Sequence, residues 1–168
     1  ATKAFADNSK FSILNYDAKE CDMNLINERN SLTGVFVDKS PFYGSSISQV
    51  NIGENVKIIP KGFLTDQKLT SLSIPSNVTE IGELAFTRNS NLTELNLEDG
   101  IVNINARSFE ECNIKRLIVP KTIQNIGYGA FEYNFNLENL RFNTIKYTSG
   151  GYPFGQCKIK KLSFEVDS

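Results

Sequence analysis

From Ile47 onward, an apolar residue is followed at +3 and +5 by two more, and this trio returns at a nearly fixed interval. The trios start at Ile47, Leu69, Leu92, Ile114, Leu137 and Ile159, spaced by 22, 23, 22, 23 and 22 residues. A unit this short cannot bury its apolar side alone and must stack on neighbours like itself. The chain is therefore expected to be a solenoid with one continuous core.

The trios are Ile47, Val50, Ile52; Leu69, Leu72, Ile74; Leu92, Leu95, Leu97; Ile114, Leu117, Val119; Leu137, Leu140, Phe142; and Ile159, Leu162, Phe164. This is the pattern L-x-x-L-x-L, whose last three positions alternate inward and outward with the period of a strand. Four positions later a second apolar pair follows (Val56 and Ile59, Val78 and Ile81, Ile101 and Ile104, Ile123 and Ile126), which brings the chain back along an opposite wall. After each pair comes Pro60, Gly82, Asn105 or Gly127, residue types that preset or tolerate the backbone angles of a reversal. At +17 stand Leu64, Phe86, Phe109, Phe131 and Phe154, which stacking would align into an aromatic spine. Position +20 holds Gln67, Asn89, Cys112, Asn134 and Cys157, small polar or thiol groups able to face inward and bond the backbone of the bend.

Upstream, Phe11, Leu14 and Tyr16 repeat the strand spacing, and Phe42 precedes Ile47 as Phe109 precedes Ile114. The expected layout is a leader over residues 1–10 and one domain over 11–168, with coils starting at 11, 47, 69, 92, 114, 137 and 159. The first coil carries an insert at about residues 20–38, in which Leu32, Val35 and Val37 could form a further strand or hairpin. The coil starting at Leu137 has Ile145 and Tyr147 early and then Thr148 to Gly151, read as a looser loop. The ending just past the strand Ile159 to Phe164 is expected to leave an open edge, as in a piece of a longer array.

Composition narrows function by exclusion. There are 18 Lys plus Arg against 19 Asp plus Glu, a formal net charge of -1, so no global field draws the chain to nucleic acid. Histidine is absent, which removes the usual general base and the commonest transition-metal ligand. No motif implies a cofactor or a metal, and an enzyme is not expected. No stretch has the roughly 20 apolar residues of a membrane span, so direct membrane insertion is not expected either. Cys21, Cys112 and Cys157 lack metal spacing and are read as buried free thiols. Two repeats would separate the last two by roughly 9 to 10 Å, beyond disulfide reach.

Two segments carry a family resemblance: Leu72-Ser-Ile-Pro-Ser-Asn-Val-Thr-Glu-Ile-Gly-Glu-Leu-Ala-Phe86 and Leu117-Ile-Val-Pro-Lys-Thr-Ile-Gln-Asn-Ile-Gly-Tyr-Gly-Ala-Phe131. Both resemble the BspA-like leucine-rich repeats of bacterial and protist surface proteins, over about residues 47–164. Leu14 to Cys21 and Tyr152 to Cys157 resemble variant coils of the same family. The resemblance implies an α/β-type, β-rich leucine-rich repeat solenoid: a right-handed superhelix with a parallel sheet on one face and short strands or helical turns on the other. It also implies a secreted or cell-surface location and adhesion to host, matrix or other surface proteins. It brings no catalytic or metal residue with it.

The strand side chains at +1, +2 and +4 point away from the core and form a ladder that is small and polar at first and charged from Lys115 onward. Lys115, Arg116, Arg141, Lys160 and Lys161 are the candidate binding surface, for an acidic protein or an anionic glycan on a monomer. Against this, Lys115, Glu138 and Lys160 alternate in sign along one column and Glu94 faces Arg116, so cross-strand pairing accounts for much of the charge. Tyr43, Tyr128, Tyr133, Phe135, Tyr147 and Tyr152 fall outside the inward positions and are expected to cover the ends of the spine, with an interface role as the second reading. The first-coil insert is a further candidate for recognition, or a lid over the first coil. Asn77-Val-Thr79 and Asn91-Leu-Thr93 match the N-glycosylation pattern. The leading function is a non-catalytic protein-binding or adhesive module; the alternative is a structural spacer that displays other domains.

Overall fold

A computed structural model of the chain describes residues 10, 12–19, 26–29, 36–144 and 146–165. Phe11, Cys21, Leu32, Val35 and Ile145 lie outside them. The chain begins with β1 (Ile13–Tyr16), β2 (Ile26–Arg29) and β3 (Phe36–Lys39). Each coil then gives one strand to each of two walls: β4 (Gln49–Ile52) and β5 (Ile58–Ile59), β6 (Ser71–Ile74) and β7 (Glu80–Ile81), β8 (Glu94–Leu97) and β9 (Asn103–Ile104), β10 (Arg116–Val119) and β11 (Asn125–Ile126), and β12 (Asn139–Phe142) and β13 (Thr148–Ser149), before β14 (Lys161–Phe164).

The first wall is a parallel sheet in the order β6, β8, β10, β12, β14, with β4 beside it paired to β1. The trios set its register, Leu72 opposite Leu95 and Leu117 opposite Leu140, so the inward columns close over the core while Ser, Asn and charged side chains face out. The second wall, in the order β5, β7, β9, β11, β13, is built on the returning pairs, whose Val56, Ile59, Val78, Ile81, Ile101, Ile104, Ile123 and Ile126 are all buried. The coil starting at Leu137 departs from its expected looseness here: Thr148 and Ser149 pair with Asn125 and Ile126 and extend the wall. The first-coil insert contains the antiparallel pair β2 and β3, and Leu14 and Tyr16 stand in register with Val50 and Ile52.

No helix occurs among the described residues, where short strands form the second wall and a third, irregular wall completes each coil; the α/β label is not confirmed over these residues. In the five coils starting at Ile47, Leu69, Leu92, Ile114 and Leu137 the residues at +15 (Gly62, Leu84, Arg107, Gly129, Tyr152) and at +19 (Asp66, Arg88, Glu111, Tyr133, Gln156) have φ between 54° and 62°. For non-glycine residues this left-handed conformation costs about 1 to 2 kcal/mol each. In the coils starting at Ile47, Leu69, Leu92 and Ile114 a set of one-way hydrogen bonds holds it: the N–H groups at +15, +17 and +19 donate to the carbonyls at +14, +16 and +18 of the next coil, as in Leu84 to Ala106, Phe86 to Ser108 and Arg88 to Glu110 (2.8 to 3.0 Å).

The spine runs inside this third wall. Phe86, Phe109, Phe131 and Phe154 stack nearly parallel with centroids 5.2 to 5.4 Å apart. Coil two reverses the order of its neighbours: Phe63 occupies the slot of the small Ala85, Ser108 and Ala130, Leu64 takes the Phe slot, and both are fully buried. The Phe63 ring carries the spine onward, edge-on to Phe86 and Phe42 and tilted against Tyr16 at 4.6 Å. The near end of the spine is thus met by Tyr16 and Phe42.

The +20 slot closes the bend as expected. Asn89 and Asn134 each donate through Nδ2 to two spine-position carbonyls, one in their own coil and one in the coil before (2.8 to 2.9 Å), while the Cys112 and Cys157 thiols bond Phe86 O and Phe131 O at 3.3 Å. Coil length follows this slot. The two Asn coils have 23 residues, with an extra residue held in a turn closed by Leu92 N–H to Asn89 O and Leu137 N–H to Asn134 O. Gly82 and Gly127 also have a reason other than backbone angle, since neither has a positive φ. A Cβ at either would lie 2.6 or 2.5 Å from a backbone nitrogen of the preceding coil.

Two outcomes follow for stability, both measurable by urea denaturation. Phe109→Ala, which empties the middle of the spine, should cost on the order of 3 to 5 kcal/mol. Arg88→Gly should leave stability unchanged or raise it by up to about 1 kcal/mol, because relief of the left-handed strain offsets the added backbone entropy.

Candidate binding surface

The outward face of the first wall is formed in register, so each repeat position becomes a column across the strands. The +2 column reads Ser71, Glu94, Arg116, Asn139, Lys161, and the +4 column Ser73, Asn96, Ile118, Arg141, Ser163. Where these side chains are short, across β4, β6, β8 and β10, the surface dips into a shallow trough of about 790 Å³. Ser71 and Ser73 lie along it, Gln49 and Asn51 at one side, and Lys115, Arg116 and Ile118 at the other. The amides are partly tied to one another, Asn51 to Asn15 at 2.7 Å and Asn96 to the Ser73 hydroxyl at 3.0 Å.

The five candidate cations all project from this face but do not act alike. Lys160 is paired with Glu138 at 2.7 Å, and Arg141 is paired with Glu165 and bonded to Asn143. Glu165 was not singled out in the sequence because it lies just beyond the last trio. Arg116 faces Glu94 across the sheet, as its spacing predicts, without an ion pair. Lys115, Arg116 and Lys161 therefore have no carboxylate partner among the described residues, and two of them border the trough.

The surface aromatics do not all gather at the spine ends, although Tyr147 reaches the last spine ring, Phe154, through Phe142. Tyr147 stacks on Phe142 at 5.1 Å, Tyr128 lies under the Arg107 guanidinium at 5.6 Å, and Tyr152 is largely exposed. Tyr133 and Phe135 pair with each other on the rim, with centroids 5.9 Å apart. Of the two glycosylation-type motifs, Asn77 has its amide nitrogen committed to Gly53 O and Val56 O, whereas Asn91 is exposed. Among the described residues, no three His, Cys, Asp or Glu are grouped to hold a metal ion, and no helix is long and apolar enough to cross a membrane. Glu110 has its carboxyl raised by burial, with Arg107 beside it acting in the opposite sense.

Compared with known families, residues 59–167 match the BspA type leucine-rich repeat region in six copies, which is more than half of the chain. The chain belongs to the BspA-type leucine-rich repeat family. Among solved structures, a leucine-rich repeat protein from Bacteroides ovatus ATCC 8483 is similar at 18% identity and a TM-score of 0.45, over 69% of this chain and 42% of that one. The chain thus spans less than half the length of that relative. No curated protein matches it.

In these BspA-type coils Cys112, buried, and Cys157, half-buried, serve as hydrogen-bond donors. Burial pushes the Cys112 thiol up to about 12 and the Cys157 thiol up to about 11 from an ordinary 9.0, and neither is in a disulfide. A thiol whose pKa is raised on folding stabilises the fold fully below its unfolded value, and that contribution is lost as pH climbs toward the folded one. Resistance to urea should therefore fall between about pH 9 and pH 12. In native protein at pH 8, Cys157 should react with a thiol reagent slowly and Cys112 far more slowly, with both exposed by denaturant.

Proposed function

We propose that this chain is a non-catalytic, protein-binding module of a secreted or cell-surface protein, and that it grips an acidic segment of its partner across the outward face of the first wall. The observation that carries this reading is the trough itself, a shallow surface lined by Ser, Thr and Asn side chains and one carboxylate, Glu94, and bordered by the unpaired Lys115 and Arg116, which outnumber it. Long side chains would have to give up rotamer freedom on binding, whereas Ser and Asn offer hydrogen bonds at little entropic cost. The net charge of -1 makes the cations on this face a local feature rather than a property of the whole chain. A repeat scaffold that fixes side-chain columns at strand spacing is suited to presenting such a surface, and the absence of histidine agrees with a module that binds without catalysis. The same stiff stack would serve a spacer, but a spacer has no need of a trough.

The test is biolayer interferometry on the immobilised protein, with a hexaglutamate peptide and a heparin-derived oligosaccharide as probes. The peptide should bind, and should bind more weakly as salt rises. Reversing Arg116 and Lys161 together to Glu should weaken it by about tenfold or more. Reversing Arg141, already neutralised by Glu165, should do less. Unchanged affinity after the double reversal at low and moderate salt, or retention of heparin alone, would remove the acidic-protein reading.

A further inference from the structure

The repeat supplies its own controls, and one place fails to match them. At +19 the coils present Asp66, Arg88, Glu111 and Gln156 to solvent, but the coil starting at Ile114 presents Tyr133, a bulky ring held at φ 59° and 36% exposed. In the same coil the extra residue at the tip of the turn from Asn134 to Leu137 is Phe135, 52% exposed. The sister turn, from Asn89 to Leu92, closes with the same hydrogen bond and carries Ser90 at that tip. Neither the left-handed corner nor the turn therefore requires an aromatic residue.

The two rings stand together beside a cleft of about 420 Å³, within the size range of small-ligand sites. Its other walls are Ser90, Glu111, Asn113 and Asn136, with Cys112 among them. Asn136 Nδ2 donates to Asn113 Oδ1 at 2.6 Å, which fixes both carboxamides and leaves an amide donor on one and a carbonyl acceptor on the other. Glu111 has no cation partner among the described residues.

We infer that this cleft is a binding site for a pyranose unit of a neutral glycan, separate from the acidic-partner surface. A pyranose ring has a face of C–H groups, which is attracted to the electron-rich face of an aromatic ring, and a rim of hydroxyls that both donate and accept hydrogen bonds. Phe135 and Tyr133 offer the stacking surface, and Asn113, Asn136 and Glu111 offer an amide donor, an amide acceptor and a carboxylate acceptor. An apolar peptide side chain would instead meet amide and carboxylate groups on the remaining walls, at a desolvation cost. The carboxylate of Glu111 disfavours an acidic sugar.

The test is an NMR titration of the 15N-labelled protein with cellotriose, mannotriose and triacetylchitotriose at millimolar concentrations. At least one should give saturable shifts centred on the amides of Glu111, Asn113, Tyr133, Phe135 and Asn136. Phe135→Ser, which installs the residue of the sister turn, should weaken that binding by about tenfold or more while leaving the melting temperature unchanged. Arg116→Glu should leave it intact, which separates this site from the trough. The inference falls if no trisaccharide gives saturable shifts, if Phe135→Ser binds as tightly as the parent, or if N-acetylphenylalaninamide perturbs these amides and the sugars do not.

Discussion

A single coil leaves many of its backbone donors and acceptors pointing along the solenoid axis, where only another coil can satisfy them. In this chain all three walls depend on that exchange. The first two use strand ladders, and the third uses the one-way bonds of the +15, +17 and +19 amides. Because the bonds fix each coil in register with the next, like residues fall over like residues. The Phe stack, the inward Leu and Ile columns and the Asn and Cys donors follow from that alignment rather than from any one contact. The tight approach needed for it is visible at Gly82 and Gly127, where a single added carbon would collide with the backbone of the coil before.

The first two walls could be read from the sequence because their determinant is the spacing of apolar side chains, which a parallel ladder converts directly into register. The +20 slot was equally legible, since an inward Asn or Cys between apolar positions has little else to do than bond the bend. The third wall was not. Its left-handed corners are marked by glycine only at Gly62 and Gly129; Leu84 and Arg107 adopt the same angle because hydrogen bonds that they donate to the next coil hold it, and at Tyr152 the adjoining Gly151 carbonyl is held by Gly129 N–H of the coil before. The exchange of Phe63 and Leu64 was hidden for a related reason. Both residues are apolar, so the pattern is satisfied in either order, and only the neighbouring Tyr16 and Phe42 rings decide which slot the large side chain fills.

On the surface, the sequence located the charged ladder but not how its charges are spent. Pairing of Arg141 with Glu165 and of Lys160 with Glu138 divides the five cations into neutralised and available ones, a distinction that depends on rotamers rather than on spacing. The trough arises from the shortness of Ser71 and Ser73 next to longer neighbours, a property of several strands at once. The paired rings of Tyr133 and Phe135 stood out in the sequence as aromatics off the repeat pattern. Their meaning came from comparison with the equivalent corner and turn of sister coils.

The amides that link the coils of the third wall all point the same way, N–H toward the later coil and C=O toward the earlier one. Each such peptide unit carries a dipole of about 3.5 D, and aligned units add. The stack is therefore electrically vectorial: its two faces across the axis are inequivalent, one rich in donors and positive, the other rich in acceptors and negative. Like faces of two such stacks would repel and leave donors against donors, so this wall can be continued only by a layer that arrives in the same orientation.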